Sequence, residues 1–331
     1  MSIGSASREM ARGLSRLPAK MTRKKLSVRP LHLMIIFAIA FLGLGIISFI
    51  QGSVGATIRG ISPWSIFAVH APTYELAGQH IFGEGIPVTN TMLTSWISVL
   101  VLVGLFFAST RKMKLVPSGL QNFVEFVYEV IRDFINGIAG KELGPKFFPI
   151  CTTIFLFVIA NAWIALLPGF ESIKMNGEPL LRNANTDINV PFMLALVSFF
   201  FTEYWAFKVK RASYLRRFFN FGPLNRGFKN FKRGVKAGLS GVAMGMVAVF
   251  ASLIEIISEF MRIVAFTFRL FGNMTAGVLI TMVIIYLVPL MLPSVCYALE
   301  AFLGFVQAMI FGGLTLAFLT VGVMSEEEEL A

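Results

Sequence analysis

The chain has 331 residues, 56% of them apolar and only 14% charged, with 34 phenylalanines and a formal net charge of +11. Long apolar runs without charge describe an integral membrane protein and exclude one or two soluble domains. The positive charge lies between the apolar runs, so it reads as membrane topology and not as a nucleic-acid surface.

Residues 1–30 are a basic segment, with Arg8, Arg12, Arg16, Lys20, Arg23, Lys24, Lys25 and Arg29 against Glu9. An apolar span over 31–50 follows. Its length and the lack of a clean A-x-A site favour an uncleaved anchor over a signal peptide, with a transit peptide the weaker alternative. Residues 51–90 carry Arg59 as their sole basic residue and read as an outer loop. A second span, Thr91 to Ser109, has Trp96 as an interface anchor and stops at Arg111, Lys112 and Lys114.

From Ser118 to Gly140 the residues Phe123, Val127, Val130, Phe134 and Ile138 make an apolar stripe, with Glu125, Glu129, Arg132 and Asp133 off it. This is an amphipathic helix on the inner surface, or one packed on a partner. A third span, Phe147 to Leu167, contains Asn161 and ends at Pro168-Gly169. The outer loop 169–189 holds Asn185-Thr186-Asp187-Ile188-Asn189, and a fourth span, Val190 to Phe207, holds Glu203.

Residues 208–236 bring ten Lys/Arg and no acid, the strongest inside marker in the chain. The apolar expanse from Ala237 to Met324 is broken by Pro289 and Pro293. That predicts two helices of about 45 and 30 residues, where a perpendicular span needs about 20. A solvated tail with four consecutive glutamates closes the chain. The fold class is therefore an all-α integral membrane protein. It has about six membrane helices, the last two long and strongly tilted, plus an inner-surface amphipathic helix. Its divisions are 1–30, the extra span 31–50, the outer loop 51–90, a membrane core 91–324 and the tail 325–331. No internal repeat suggests an inverted-repeat transporter.

Within the penultimate helix, Glu255, Glu259, Arg262, Arg269 and Asn273 fall within about 40° of one line at the 3.6-residue period. An ionisable group at membrane depth costs roughly 2.5–3.5 kcal/mol on insertion scales, so an aligned set points to use. A guanidinium keeps its charge and cannot relay protons. Arg269 is then either a structural partner of Glu255, Glu259 or Glu300, or a fixed charge facing another chain's carboxylate. Glu259 and Arg262 can pair with each other. On the last helix, Glu300 and Gln307 share a face. An apolar setting favours the neutral carboxyl, so Glu300 can exchange protons, or it can brace two helices. Cys151, Cys296, His32, His70 and His80 are scattered, without metal-ligand spacing, and no cofactor is implied. No GxxxxGKS, GxxxxGKT, HExxH or GxSxG motif occurs, so the chain by itself holds neither nucleotide nor nucleophile.

The run Arg269-Leu270-Phe271-Gly272-Asn273-Met274-x-Ala276-Gly277 resembles the signature of subunit a of the rotary F-type ATP synthase. Glu255, Gln307-Ala308-x-Ile310-Phe311, Ser325-Glu326-Glu327 and Val116-Pro117-Ser118-Gly119-Leu120-Gln121-Asn122 also resemble it. So do Asn161 before Leu166-Leu167-Pro168 and Thr186-Asp187-Ile188-Asn189. The resemblance implies a stator with two offset half-channels that carry protons to and from a turning ring of c proteolipids. Arg269 would face the ring carboxylate, with Asn273 and Gln307 beside it. Glu300 would serve the outer half-channel and Glu255 the inner exit. Asn161, Asp187 and Glu259 are weaker candidates. Peripheral-stalk b subunits and membrane lipid are the other implied partners, and no nucleic acid is. A bacterial inner membrane is implied ahead of a mitochondrial inner membrane or a thylakoid. An independent channel or secondary transporter is the rival reading. One position departs from the family: Val278 stands where His or Glu is usual.

Overall fold

The structure, a computed structural model, describes residues 30–64, 66, 68–69, 78–81, 88–167, 169–170, 173–175, 178–211, 214, 218, 221–230 and 235–323. The basic segment before Pro30, His70 and the acidic tail lie outside the described residues.

The helices in chain order are α1 (Pro30–Gln51), α2 (Ser53–Ile58), α3 (Asn90–Thr110), α4 (Leu120–Ala165), α5 (Asn189–Lys210), α6 (Gly222–Asn230), α7 (Val235–Leu287) and α8 (Leu292–Val323). Among the described residues six of these, α1, α3, α4, α5, α7 and α8, are long and apolar enough to cross a membrane. The fold is that of an all-α integral membrane protein. Between α4 and α5 the loop adds a two-residue antiparallel hairpin, β1 (Lys174–Met175) with β2 (Glu178–Pro179), and a 3-10 turn at Ala184–Thr186.

Local chemistry sets the boundaries. Helix α3 begins where the Thr89 hydroxyl accepts from Met92 N at 3.3 Å, a side-chain N-cap. Helix α4 is two helices joined at Gly140, whose φ of 74° and ψ of 170° are open in practice to glycine alone. Gly140 thus separates the amphipathic segment from the third span. That segment carries two apolar faces, not one. Val124, Ile135 and Ala139 are buried against the bundle, while Phe123, Val130, Phe134 and Ile138 of the expected stripe remain exposed. Pro289 lies in the break between α7 and α8, while Pro293, expected to share in that break, is the second residue of α8, where a missing N–H costs nothing; Met291 between them takes a positive φ of 68°.

Helix α8 is the central element, packed against α4, α5 and α7. One core cluster joins Ile154, Val158 and Ala162 of α4, Ala195 of α5, Phe266, Leu270 and Met274 of α7, and Ala308 and Phe311 of α8. A second joins Ile135, Ala139, Phe147 and Cys151 to Leu316, Leu319 and Val323. The Ser198 and Thr315 hydroxyls meet at 2.8 Å between α5 and α8. At 53 residues α7 is about 80 Å long, far beyond a perpendicular crossing. Its first turns lie against α6, where Gly227 and Gly241 bring the two backbones together. Helix α1 touches the bundle at one end, through a hydrogen bond from Leu290 N to Ser48 Oγ of 3.1 Å.

Candidate functional site

The stripe on α7 divides once the helix is packed. Glu259 is buried and forms an ion pair with Arg262. A third group joins them from α5: Glu203 lies 4.0 Å from Arg262, and the Tyr214 hydroxyl donates to its carboxylate, 3.1 and 3.0 Å from the two oxygens. The Arg262 guanidinium also lies 4.4 Å from the centre of the Phe318 ring on α8. The pairing expected of Glu259 and Arg262 is therefore present, as part of a cluster spanning three helices. Glu255 is half-buried one turn earlier on α7.

Arg269 lies elsewhere. It is exposed and makes no ion pair among the described residues, its guanidinium 6.0 Å from the Phe266 ring centre. A partner within the bundle at Glu255, Glu259 or Glu300 is absent. Around it Ala265, Gly272 and Ala276 are also exposed, and a Cβ on Gly272 would meet nothing within 4 Å. The face carrying Arg269 is thus apolar, small and open, the kind of surface on which another membrane helix can pack closely.

One turn on, Asn273 Nδ2 donates to Gln307 Oε1 at 3.2 Å, which ties α7 to α8 beside Arg269. The two residues read from separate helices are brought together. Glu300 is buried on α8 with 7% of its surface exposed, and lies against Gly277. Thr281 Oγ1 donates to Glu300 Oε2 at 3.4 Å. Val278, Thr281, Tyr297, Glu300 and Asn183 line a cavity of about 120 Å³, together with Leu167 and Phe170.

Asp187 is 3% exposed in the loop before α5. Its Oδ2 accepts from Thr91 Oγ1 at 2.7 Å, and its Oδ1 from Asn189 N and Nδ2 at 3.1 and 2.9 Å. Asn161 is fully buried on α4, and neither atom of its amide has a partner among the described residues. The same holds for Asn185 Oδ1, Asn183 Nδ2 and Gln307 Nε2. Buried polar atoms without protein partners are ordinarily satisfied by water.

Several members of this site escape sequence reasoning. Asn90, Thr91, Thr94 and Ser98 form a fully buried polar face on α3 toward the Arg182–Asp187 loop. Their spacing of one, three and four is a helical signal that could have identified them. Thr281, Asn183 and Tyr214 carry no comparable signal.

These observations define a polytopic membrane protein with polar groups gathered inside its helices and a cation exposed on an apolar face. Residues 92–320 match the ATP synthase A chain family, and the chain belongs to that family. It is similar to ATP synthase subunit a of Gloeobacter violaceus (strain ATCC 29082 / PCC 7421). The identity is 29% over 254 residues, 76% of this chain and 92% of that one.

Proposed function

We propose that this chain is the membrane stator of an F-type ATP synthase and carries protons to and from a turning ring of c proteolipids. The observation that carries the reading is Arg269. A guanidinium displayed without an ion pair, on an otherwise apolar helix face, needs a partner's charge to offset its cost. A ring carboxylate supplies that charge, and the small residues around Arg269 let a ring helix approach.

The division of labour is the one the family resemblance implies, and the burial of Glu300 and Gln307 supports it. Arg269 stabilises the ionised ring carboxylate as it passes and raises the barrier to a bare proton between the two half-channels. Each charge moved through the membrane potential yields about 2.3 kcal/mol per 100 mV, which a leak past Arg269 would dissipate. Asn273 and Gln307 hold the two helices together beside it. Glu300 takes up protons on the outer side, reached through water about Asn183, Asn185 and Asn161, with Asp187 nearer the surface. Glu255 serves the inner exit. Glu259 has a better account as the partner of Arg262 than as a pathway group. The chain holds no nucleotide itself and acts only in the complex, with c-ring proteolipids, peripheral-stalk b subunits and lipid around it. A bacterial inner membrane is its setting, α7 and α8 lie steeply tilted around the ring, and residues 1 to about 60 supply a basic segment and an extra span ahead of the common core.

The test is Arg269→Ala in the assembled complex, reconstituted in liposomes. ATP-driven proton pumping is lost while assembly persists. Normal coupled pumping by that variant, or transport by the purified chain without a ring, would sink the proposal.

A further inference from the structure

We propose that Thr281 is a positioning residue for Glu300 and that outer proton uptake runs through this one carboxylate, to which the Thr281 hydroxyl donates. The inference rests on the role given to Glu300 above. Helix α7 offers Glu300 three residues. Gly277 lies against the carboxyl, where a Cβ would meet Glu300 Cγ at 3.5 Å and Cδ at 3.6 Å, ordinary contact distances. Val278 is buried and apolar. Thr281, one turn further, is 5% exposed and directs its hydroxyl at Glu300 Oε2.

That direction is informative. A threonine hydroxyl in a helix commonly donates to the carbonyl four residues back. Thr267, Thr315 and Thr320 do so here, to Ile263, Phe311 and Leu316. Thr281 turns instead toward the carboxyl. A hydroxyl both donates and accepts, so it can donate to the carboxylate and accept from the carboxyl without moving its helix. Glu300 can therefore keep one position through a cycle of uptake and release.

Thr281 and Glu300 share the wall of the 120 Å³ cavity, which has room for more than one water molecule. Among the described residues lining it, Glu300 and Tyr297, both on α8, are the ionisable ones. Helix α7 contributes Val278, Thr281, Met282 and Ile285, while Asn183 is the polar contribution of the loop. A hydroxyl does not titrate in the working range, so uptake follows one titrating group. Two coupled groups would instead give two macroscopic steps.

The experiment is ATP synthesis by the reconstituted complex, with inner pH fixed and outer pH varied, for the parent, Thr281→Ser, Thr281→Val and Glu300→Gln. The parent profile is a single step. Thr281→Ser reproduces it, and Thr281→Val shifts its midpoint by about one pH unit, the scale of one hydrogen bond to a carboxylate. Thr281→Ala gives the same reading if the valine variant does not assemble. A valine profile that superimposes on the parent overturns the role of Thr281, and a two-step parent profile overturns uptake through one group. An unchanged rate for Glu300→Gln overturns the assignment of Glu300 itself, so the two failures are distinguishable.

Discussion

Gly304 is the position where packing and proton transfer are most directly joined. It lies on α8 between Glu300 and Gln307, and a Cβ added there would sit 2.8 Å from the Ala162 Cβ and 3.9 Å from Trp163 Cδ1. Non-bonded carbons rest at about 3.5–4.0 Å, so Gly304→Ala must drive α4 and α8 apart by roughly 1 Å. Neither contact is the far end of a flexible side chain: one is a Cβ and the other belongs to an indole. The Trp163 indole is further tied to α8 by its hydrogen bond to the Ala301 carbonyl, at 3.1 Å. Overpacking of this kind costs about 1–3 kcal/mol, and Gly304→Val costs more because its branched side chain meets the same wall. The displacement falls one turn from Glu300 and one from Gln307, so both the cavity and the Asn273–Gln307 contact are disturbed. Thermal unfolding of the detergent-extracted complex and ATP-driven acidification of liposomes measure the two effects. Gly304→Ala is expected to assemble with a lowered Tm and reduced pumping, and Gly304→Val to fall further on both. A valine variant with parental Tm and parental pumping would refute the close-packed interface described here.

Arg262→Met removes the cation from two carboxylates and is expected to destabilise the complex by about 3 kcal/mol. The double variant Arg262→Met, Glu259→Met should recover much of that loss, and equal Tm values for single and double would show that the cluster is not a coupled unit. Gly140→Ala places a side chain in a backbone region that only glycine adopts freely, at a cost of about 1–3 kcal/mol. An unchanged Tm would mean that the break inside α4 is not required. Asn161→Leu removes two buried atoms without partners, each of which costs about 1–3 kcal/mol if left unsatisfied. It should therefore hold or raise stability while lowering passive proton flux through the membrane sector severalfold. Lost stability with intact flux would make Asn161 a structural residue.

Apolar run length, charge placement and proline position by themselves determined the membrane class, the spans and the break near Pro289. These are properties of the local chain: an apolar segment near 20 residues has one low-energy solvent, and a proline removes a backbone donor that a helix interior needs, although α4 runs on through Pro145 and Pro149. The 3.6-residue period likewise showed that Glu255, Glu259, Arg262, Arg269 and Asn273 share one line of α7. It did not show which of them turn inward. A stripe on an isolated helix has no inside until neighbours pack against it. Packing put Glu259 and Arg262 against Glu203 of α5, residues separated by more than 50 positions, and left Arg269 exposed on the open face. The apolar stripe of 118–140 shows the same limit, since periodicity located the helix and packing selected Val124, Ile135 and Ala139 as its buried face. The contacts between Asn273 and Gln307 and between Thr281 and Glu300 cross from α7 to α8, and that between Thr91 and Asp187 joins residues 96 positions apart. Their partners depend on helix register and rotation, which side-chain packing across the interface decides and no single segment encodes.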